Sequence, residues 1–264
     1  MNVVARKRLV QEYYSRRARD YDSQKIRTWK SRQGFGDEVF RRLINSLQGL
    51  KGKRALEVCV GTGRTSLPLL ENVKPWLVGL DLSREMLKVA QAKISAFKDI
   101  SSLIMGDAEH VPFKSGVFDA LICTSAMHYF VYPERLLAEF SRMLRKNGVL
   151  VFGDLTLHEL DNRGFLNRLE KTVSRVHESY SKPSEVKRML EDSGFEVSFA
   201  DTVAYSKRFD YLIKDKPRYF GVKPEAVSEC VEAASLDERE LYSIGSDELT
   251  LFYTLIKAVK KDKH

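Results

Sequence analysis

Apolar residues recur along this chain in two rhythms, short unbroken runs and stripes spaced three and four apart, and their alternation bounds the fold. Ala55 to Val60 is a run too short for a helix and closed by the glycine turn Gly61-Thr62-Gly63, which suits a strand buried on both faces. A helix is expected from about Thr65 to Leu70. Trp76 to Leu80 repeats the pattern and ends at Asp81. Ser83 then stands where an N-cap would, with Met86, Leu87, Ala90 and Ile94 on one helical face. A third run ends at Leu103-Ile104-Met105, and a fourth, Phe118 to Thr124, opens into Ser125-Ala126-Met127-His128-Tyr129-Phe130.

Downstream, Pro133 begins a helix carrying Leu136, Leu137, Phe140 and Leu144, and Asn147-Gly148 reads as the turn into a fifth strand, Val149 to Gly153, closed by Asp154. Ser184 is expected to cap a helix with Val186, Met189 and Leu190 inward, ended by Ser193-Gly194. A sixth strand is expected near Glu196 and a last one from Thr250 to Val259. The roughly forty residues between them hold Phe209, Tyr211, Pro217, Tyr219, Phe220 and a helical pattern from Pro224 to Ala234. Ahead of the first strand lie two more helical patterns, one with Leu9, Val10, Tyr13 and Tyr14 set against Arg6, Lys7, Arg16 and Arg17, the other with Phe35, Val39, Phe40, Leu43, Ile44 and Leu47. Runs alternating with stripes predict an α/β architecture on a doubly wound parallel sheet.

The punctuation between runs carries the chemistry. Glycines at 61 and 63 let the backbone turn sharply and approach a ligand, and the following helix turns its free N–H groups into the same crevice. Asp81, about eighteen residues after Gly63, can accept two hydrogen bonds from a ribose diol. A dinucleotide fingerprint would place a third glycine where this chain has Ser66, which counts against a nicotinamide cofactor. Asp107, just past the third strand, is placed to meet the exocyclic amine of an adenine.

With these four motifs in this order, the segment from Arg54 to Asp154 resembles the class I S-adenosylmethionine-dependent methyltransferases, in the group that includes the ubiquinone and menaquinone C-methylases. The resemblance implies a Rossmann-like seven-stranded sheet of order 3-2-1-4-5-7-6 with strand 7 antiparallel. It further implies a helical lid over residues 1–52 and a methyltransferase domain over 53–264, with inserted substrate-cover segments at about 155–182 and 207–248. By the same resemblance, Glu57, Gly61, Thr62 and Gly63 belong to the glycine-rich motif, Asp81 and Leu82 lie at the ribose, Asp107 and Ala108 at the adenine, and Met86 and Thr124 complete the cofactor site. The family more often has glycine where this chain has Cys59 and Arg64, which puts the methionine end in question rather than the turn.

The implied reaction is direct in-line displacement, in which a nucleophile takes the methyl group and S-adenosyl-L-homocysteine leaves. Neither a metal nor a covalent enzyme intermediate is needed, and the chain has no H-E-x-x-H and no paired C-x-x-C. His128 and Tyr129 leave the fourth strand where the methyl group should sit, either as a base and an orienting hydroxyl or as a pocket wall. His158 and Glu159 are weaker candidates, and Asp119 is read as structural. The Y-Y-x-x-R-A-x-x-Y-D pattern from Tyr13 to Asp22 resembles the family's lid, which brings Tyr13, Tyr14 and Tyr21 to the substrate side, with Asp154 at the crevice rim.

Charge changes the picture of the lid. Residues 1 to 54 hold fifteen Lys or Arg against five Asp or Glu, whereas the remainder holds 29 against 31. The excess is either a solvated face or an attraction for an anionic acceptor, whether phosphorylated metabolite, charged prenyl lipid, membrane surface or RNA. Aromatic residues interleaved with it, including Trp29, would either stack a base or pack the lid. Three cysteines form no disulfide or zinc spacing and are read as small buried apolar residues, although Cys59 and Cys123 end adjacent strands, where a shared place on the pocket floor is the alternative. A length of 264 residues suits one domain. No apolar span is long enough for a membrane, and the start lacks a secretory pattern, so a cytoplasmic location is expected. Three functions remain open at this point: a methyltransferase acting on a small molecule, which includes anionic ones; an RNA methyltransferase; and a non-catalytic S-adenosylmethionine-binding regulator.

Overall fold

The computed structural model describes residues 2–22, 35–209 and 219–261, so Trp29, Tyr211 and Pro217 lie outside the described residues. Its strands are β1 (Arg54–Val58), β2 (Trp76–Asp81), β3 (Ser101–Met105), β4 (Phe118–Thr124), β5 (Leu144–Thr156), β6 (Phe195–Arg208) and β7 (Glu248–Lys260). They form a single sheet of order β3-β2-β1-β4-β5-β7-β6. Strands β1 to β5 pair in parallel, and β7 runs antiparallel to both β5 and β6. This is the order that the resemblance implies.

The runs are unbroken because both faces of the sheet are covered. Leu56, Val58, Leu121, Cys123, Leu150 and Phe152 point to one face, under α5 (Pro133–Met143) and α7 (Pro183–Asp192). The alternate residues Ala55, Ala120, Ile122 and Val151 point to the other. There they meet Leu43 and Leu47 of α2 (Phe35–Ser46) and Leu69 and Leu70 of α3 (Ser66–Asn72). Each Leu or Phe fully withdrawn from water stabilises the fold by about 1.5–3 kcal/mol, so this two-sided core fixes where the strand ends lie. Helix α4 (Arg84–Lys93) is capped by Ser83, whose Oγ accepts from Met86 N at 3.2 Å.

A separate apolar cluster lies beyond the sheet, where α6 (Phe165–Val173), α8 (Pro224–Glu232) and α9 (Leu236–Leu241) pack on the ends of β5 and β7 through Phe165, Leu169, Val227, Tyr242, Leu249 and Leu251. Asp161 starts α6 by accepting from Arg163 N, Gly164 N and Phe165 N at 2.7–3.0 Å. Helix α6 follows β5, and α8 and α9 lie between β6 and β7.

Three boundaries differ from the sequence expectation. Strand β5 begins at Leu144, directly after α5, and Asn147-Gly148 is an irregularity inside it: pairing jumps from Phe118↔Leu144 to Ala120↔Val149, with Asn147 at φ +58°. Helix α7 begins at Pro183, where Lys182 N donates to the Glu185 side chain at 2.9 Å. Ser184 sits inside that first turn and donates to Glu159 instead of capping. The β6–β7 ladder extends from Phe195↔Lys260 to Arg208↔Glu248, which confines the excursion to residues 209–247.

Helix α1 (Val3–Arg17) departs most in its orientation. Its inward faces follow helical spacing, Val3, Lys7, Val10 and Tyr14 on one and Arg6, Tyr13 and Arg17 beside it. Three of the basic residues expected opposite the apolar side therefore point into the molecule. Among the described residues no helix is long and apolar enough to cross a membrane.

Candidate functional site

The C-terminal ends of β1, β2 and β4 open into a cleft of about 1150 Å³, mouth included. Parallel strands leave such a crevice where the chain order reverses, here between β1 and β4. Gly61 turns its floor at φ +56°, and a side chain added there would meet nothing nearer than Cys59 O at 4.0 Å, so the space belongs to the cleft. Gly63 is not on the wall. It lets the loop close on α4, because a Cβ would stand 3.2 Å from that of Ala90. Cys59 holds φ +57°, a left-handed conformation that costs an L-residue about 1–2 kcal/mol.

Four carboxyl groups, those of Glu57, Asp81, Asp107 and Glu109, line the cleft. Asp81 accepts from Gly61 N at 2.8 Å through Oδ2 and from Ser83 N at 2.9 Å through Oδ1, so it ties the two binding loops together. Burial pushes its carboxyl above the ordinary range, against those same N–H donors. Glu57 is 2% exposed and accepts from Ser66 Oγ at 2.5 Å. Burial raises its pKa to about 8, the Ser66 hydroxyl pulling the other way and the Asp81 charge adding to it. Asp107 and Glu109 stand at the far end, and Leu80, Leu82, Met86 and Ala108 supply an apolar shelf between. A sugar diol, an ammonium and an exocyclic amine are all donors, so these acceptors on an apolar shelf fit S-adenosylmethionine.

Helix α1 closes the cleft from above. Lys7 Nζ donates to Asp107 Oδ2 at 2.7 Å and pairs with Glu109, Gln11 Nε2 donates to Leu82 O at 2.8 Å, and Ser15 Oγ meets Ser83 Oγ at 2.9 Å. Asp22 takes Thr62 Oγ1 at 2.6 Å and Lys93 Nζ at 2.5 Å. Burial works against the Asp107 charge, but Lys7 and the Glu109 N–H hold its carboxyl below the usual range. Three of the N-terminal segment's basic residues thus meet acids of the body: besides Lys7, Arg6 pairs with Glu178 at 2.8 Å, and Arg42 pairs with Asp201.

A second, polar compartment of about 830 Å³ adjoins the cleft, and Tyr14, Tyr21, Ser125 and Tyr129 line both. His128 lines only the second. Its Nδ1 lies 2.8 Å from Asp154 Oδ1 and 2.9 Å from Oδ2, and its backbone N is 3.3 Å from Oδ2. Asp154 is 2% exposed and also accepts from Leu155 N at 2.8 Å. Around the pair stand His177 and Tyr180, with ring centroids 5.7 and 4.9 Å from His128. Arg17, itself 3% exposed, lies over the rings of Tyr13, Tyr21 and Tyr219 at 4.9, 5.6 and 5.1 Å, and Lys207 reaches in from β6. Burial raises the phenols of Tyr14, Tyr129 and Tyr180 well above the usual value, and the Tyr14 and Tyr129 hydroxyls are hydrogen-bonded to each other.

The structure therefore brings Glu57, Gly61, Thr62, Asp81, Leu82, Met86, Asp107, Ala108 and Thr124 to one cleft. It places His128, Asp154 and Tyr13 in the compartment beside it. Asp154 is committed to His128 and the backbone rather than standing at the rim. Cys123 is fully buried, so Cys59 alone of that pair lines the floor. His158 meets Phe252 edge to face and Glu159 accepts from Ser184, both away from either cavity. Asp119 accepts from Arg54 N at 2.7 Å and pairs with Arg145, which is a structural role. Sequence reasoning missed the lid residue Lys7 as a cleft contact and Glu170, His177, Tyr205 and Tyr253 as compartment walls. For Lys7 the signal was present in the i, i+3, i+7 spacing with Val3, Val10 and Tyr14; the others belong to no local motif.

Residues 56–152 match the methyltransferase domain family. The chain is 31% identical over 168 residues to a phosphatidylethanolamine N-methyltransferase of Cereibacter sphaeroides, covering 62% of this chain and 80% of that protein. It is 29% identical over 212 residues to a malonyl-[acyl-carrier protein] O-methyltransferase of Geobacter sulfurreducens, covering 75% of each. An uncharacterized Methanocaldococcus jannaschii protein is 28% identical over 142 residues, and the match spans 54% of this chain and 64% of that one. The structure of a Bacillus halodurans protein described as a methyltransferase superposes with a TM-score of 0.74 at 26% identity, covering 84% of this chain and 98% of that one.

Proposed function

Because the chain belongs to the S-adenosyl-L-methionine-dependent methyltransferase family, we propose that it transfers the methyl group to a small-molecule acceptor held in the polar compartment beside the cofactor cleft. The observation that carries this reading is the shared wall: a group in the compartment meets the cleft only past Tyr14, Tyr21, Ser125 and Tyr129.

When bound, the cofactor supplies an electrophilic methyl carbon on a sulfonium. The chain's residues bind, orient and exclude water. Asp81 presents its carboxylate to the sugar hydroxyls, Asp107 and Ala108 border the purine, and Glu57 lies at the floor beyond Gly61. Helix α1 seals the cleft, which strengthens the polar contacts inside and keeps water from the methyl group. In-line attack then needs only an acceptor aligned across the tyrosine wall. Arg17 and Lys207 line the compartment together with the acids Asp154 and Glu170, so its wall carries charge of both signs. The relatives' names include an amine and a carboxyl acceptor, so the compartment, rather than the family, selects the substrate.

The test is a metabolite extract incubated with methyl-labelled donor at low and high salt. Label should enter a nuclease-resistant small molecule at a rate that changes little with salt, whereas label in RNA with a steep salt dependence would overturn the reading. Calorimetry should show donor binding, weakened by about 1.5–3 kcal/mol in Asp81→Ala. Binding without any transfer would favour a regulatory protein.

A further inference from the structure

One buried pair in the compartment has more than a packing role available to it. A carboxylate accepts hydrogen bonds and cannot donate them, so the proton between His128 and Asp154 resides on His128 Nδ1. That tautomer makes Nε2 the ring's acceptor, on a side chain that lines the acceptor compartment and not the cofactor cleft. Asp154 is fixed in turn by Leu155 N. The pair is a base whose orientation the strand ends determine.

We propose that His128, positioned by Asp154, is the general base of methyl transfer, and that the acceptor is consequently a hydroxyl or an acidic C–H group rather than an amine. The inference rests on the methyl-transfer reading above. A neutral amine is already nucleophilic, whereas a hydroxyl oxygen becomes strongly nucleophilic, and a carbon acid gains its electron pair, only as the proton leaves. The steps balance within the site. Nε2 takes the proton, the freed pair on oxygen or carbon forms the bond to the methyl carbon, and the methyl–sulfur bond breaks with its electrons kept by sulfur. The imidazolium, neutralised by Asp154, then returns the proton to water.

Other candidates for the base are poorly suited. Tyr14, Tyr129 and Tyr180 stay protonated because burial opposes their ionisation, so they donate hydrogen bonds. The titratable and charged groups that line the compartment with the pair are Tyr13, Tyr14, Arg17 and Tyr21 from the N-terminal segment, Tyr129 beside His128, and Glu170 from α6. His177 and Tyr180 follow α6, Tyr205 and Lys207 come from β6, and Tyr253 comes from β7. His177 Nε2 lies 2.8 Å from Asn167 Oδ1, an oxygen that also accepts from Tyr180 N, so that ring is held by its own partner and is not part of the pair.

The decisive experiment compares single-turnover transfer of labelled methyl into the same extract across pH, at saturating donor, for wild type, His128→Ala, His128→Gln and Asp154→Asn. His128→Ala and the near-isosteric His128→Gln should bind donor within twofold of wild type, lose at least a hundredfold in rate and lose the rate increase on the alkaline side of histidine titration. Added imidazole should restore part of the rate to His128→Ala. Asp154→Asn should fall between. Nitrogen-15 resonances of the imidazole should show the Nδ1–H tautomer in the unliganded protein. A His128→Gln rate within threefold of wild type, an unaltered pH limb, label on nitrogen of the product, or an Nε2–H tautomer would each overturn the proposal. Because all variants are compared with an active wild type, their failure is separable from absence of transfer altogether, which would refute the methyl-transfer reading.

Discussion

Glu57 is a carboxyl whose charge the burial of this cleft opposes strongly. It lies at the end of a strand buried on both faces, next to the Asp81 charge, and its pKa stands at about 8. A carboxyl whose folded pKa lies above its unfolded value near 4.5 is protonated more readily in the folded state, so the folded protein binds the extra proton throughout the window between the two. Stability from this group is therefore complete below about pH 4.5 and falls as pH rises towards 8. Glu57→Gln should flatten that dependence and gain on wild type by about 2–4 kcal/mol at pH 8, read from urea midpoints at pH 5, 6.5 and 8. Parallel curves for the two proteins would show that Glu57 is not neutral in the free protein. The glycine turn and Asp81 were legible in the sequence because a ligand-facing turn restricts residue type locally. Gly63 was legible as a glycine but not in its role, since the 3.2 Å approach to Ala90 depends on where α4 packs.

At the scale of elements, strands β1, β2 and β4 were read to within a residue or two, because two-sided burial leaves an unbroken apolar run that ends at polar or glycine residues. Helix α1 was located, yet its faces were misassigned. Its burial pattern mixes charge with apolar groups: it packs on a rim of carboxylates, so Lys7 is as inward as Val10. The pairing suggests that the lid is held down by charge as well as by packing. Lys7→Ala should loosen α1 at a cost of about 1 kcal/mol or less in global stability, because the pair is part-exposed. It should speed donor dissociation several-fold in stopped-flow traces, with raised salt producing the same acceleration in wild type. Unchanged dissociation in the variant would leave Tyr14, Gln11 and Asp22 as sufficient for closure.

Over the whole molecule, the acceptor compartment gathers residues from segments that the sequence keeps far apart: Arg17, His128, Asp154, Glu170, Tyr205 and Tyr253. No window of sequence contains it: Tyr13, Tyr14, Tyr21, His128, Tyr129 and Asp154 were named from local motifs, whereas Glu170, Tyr205 and Tyr253, which only the tertiary fold brings in, were not. Its outer wall depends on the satellite cluster, and that dependence runs through one phenol. Tyr242 is fully buried; its hydroxyl donates to Asp161 Oδ2 at 2.7 Å and accepts from His158 N at 3.1 Å. Asp161 is the group that starts α6, and α6 carries Glu170 into the compartment. Tyr242→Phe keeps the ring packing but leaves a buried carboxylate oxygen and a backbone N–H short of a partner, a loss of about 1–3 kcal/mol in unfolding free energy. Because β1, β2 and Asp81 share no residue with that cluster, donor affinity by calorimetry should hold within twofold while KM for the acceptor rises. If donor affinity falls in step with acceptor affinity, the two cavities are one cooperative unit and the division between cofactor cleft and acceptor compartment is lost.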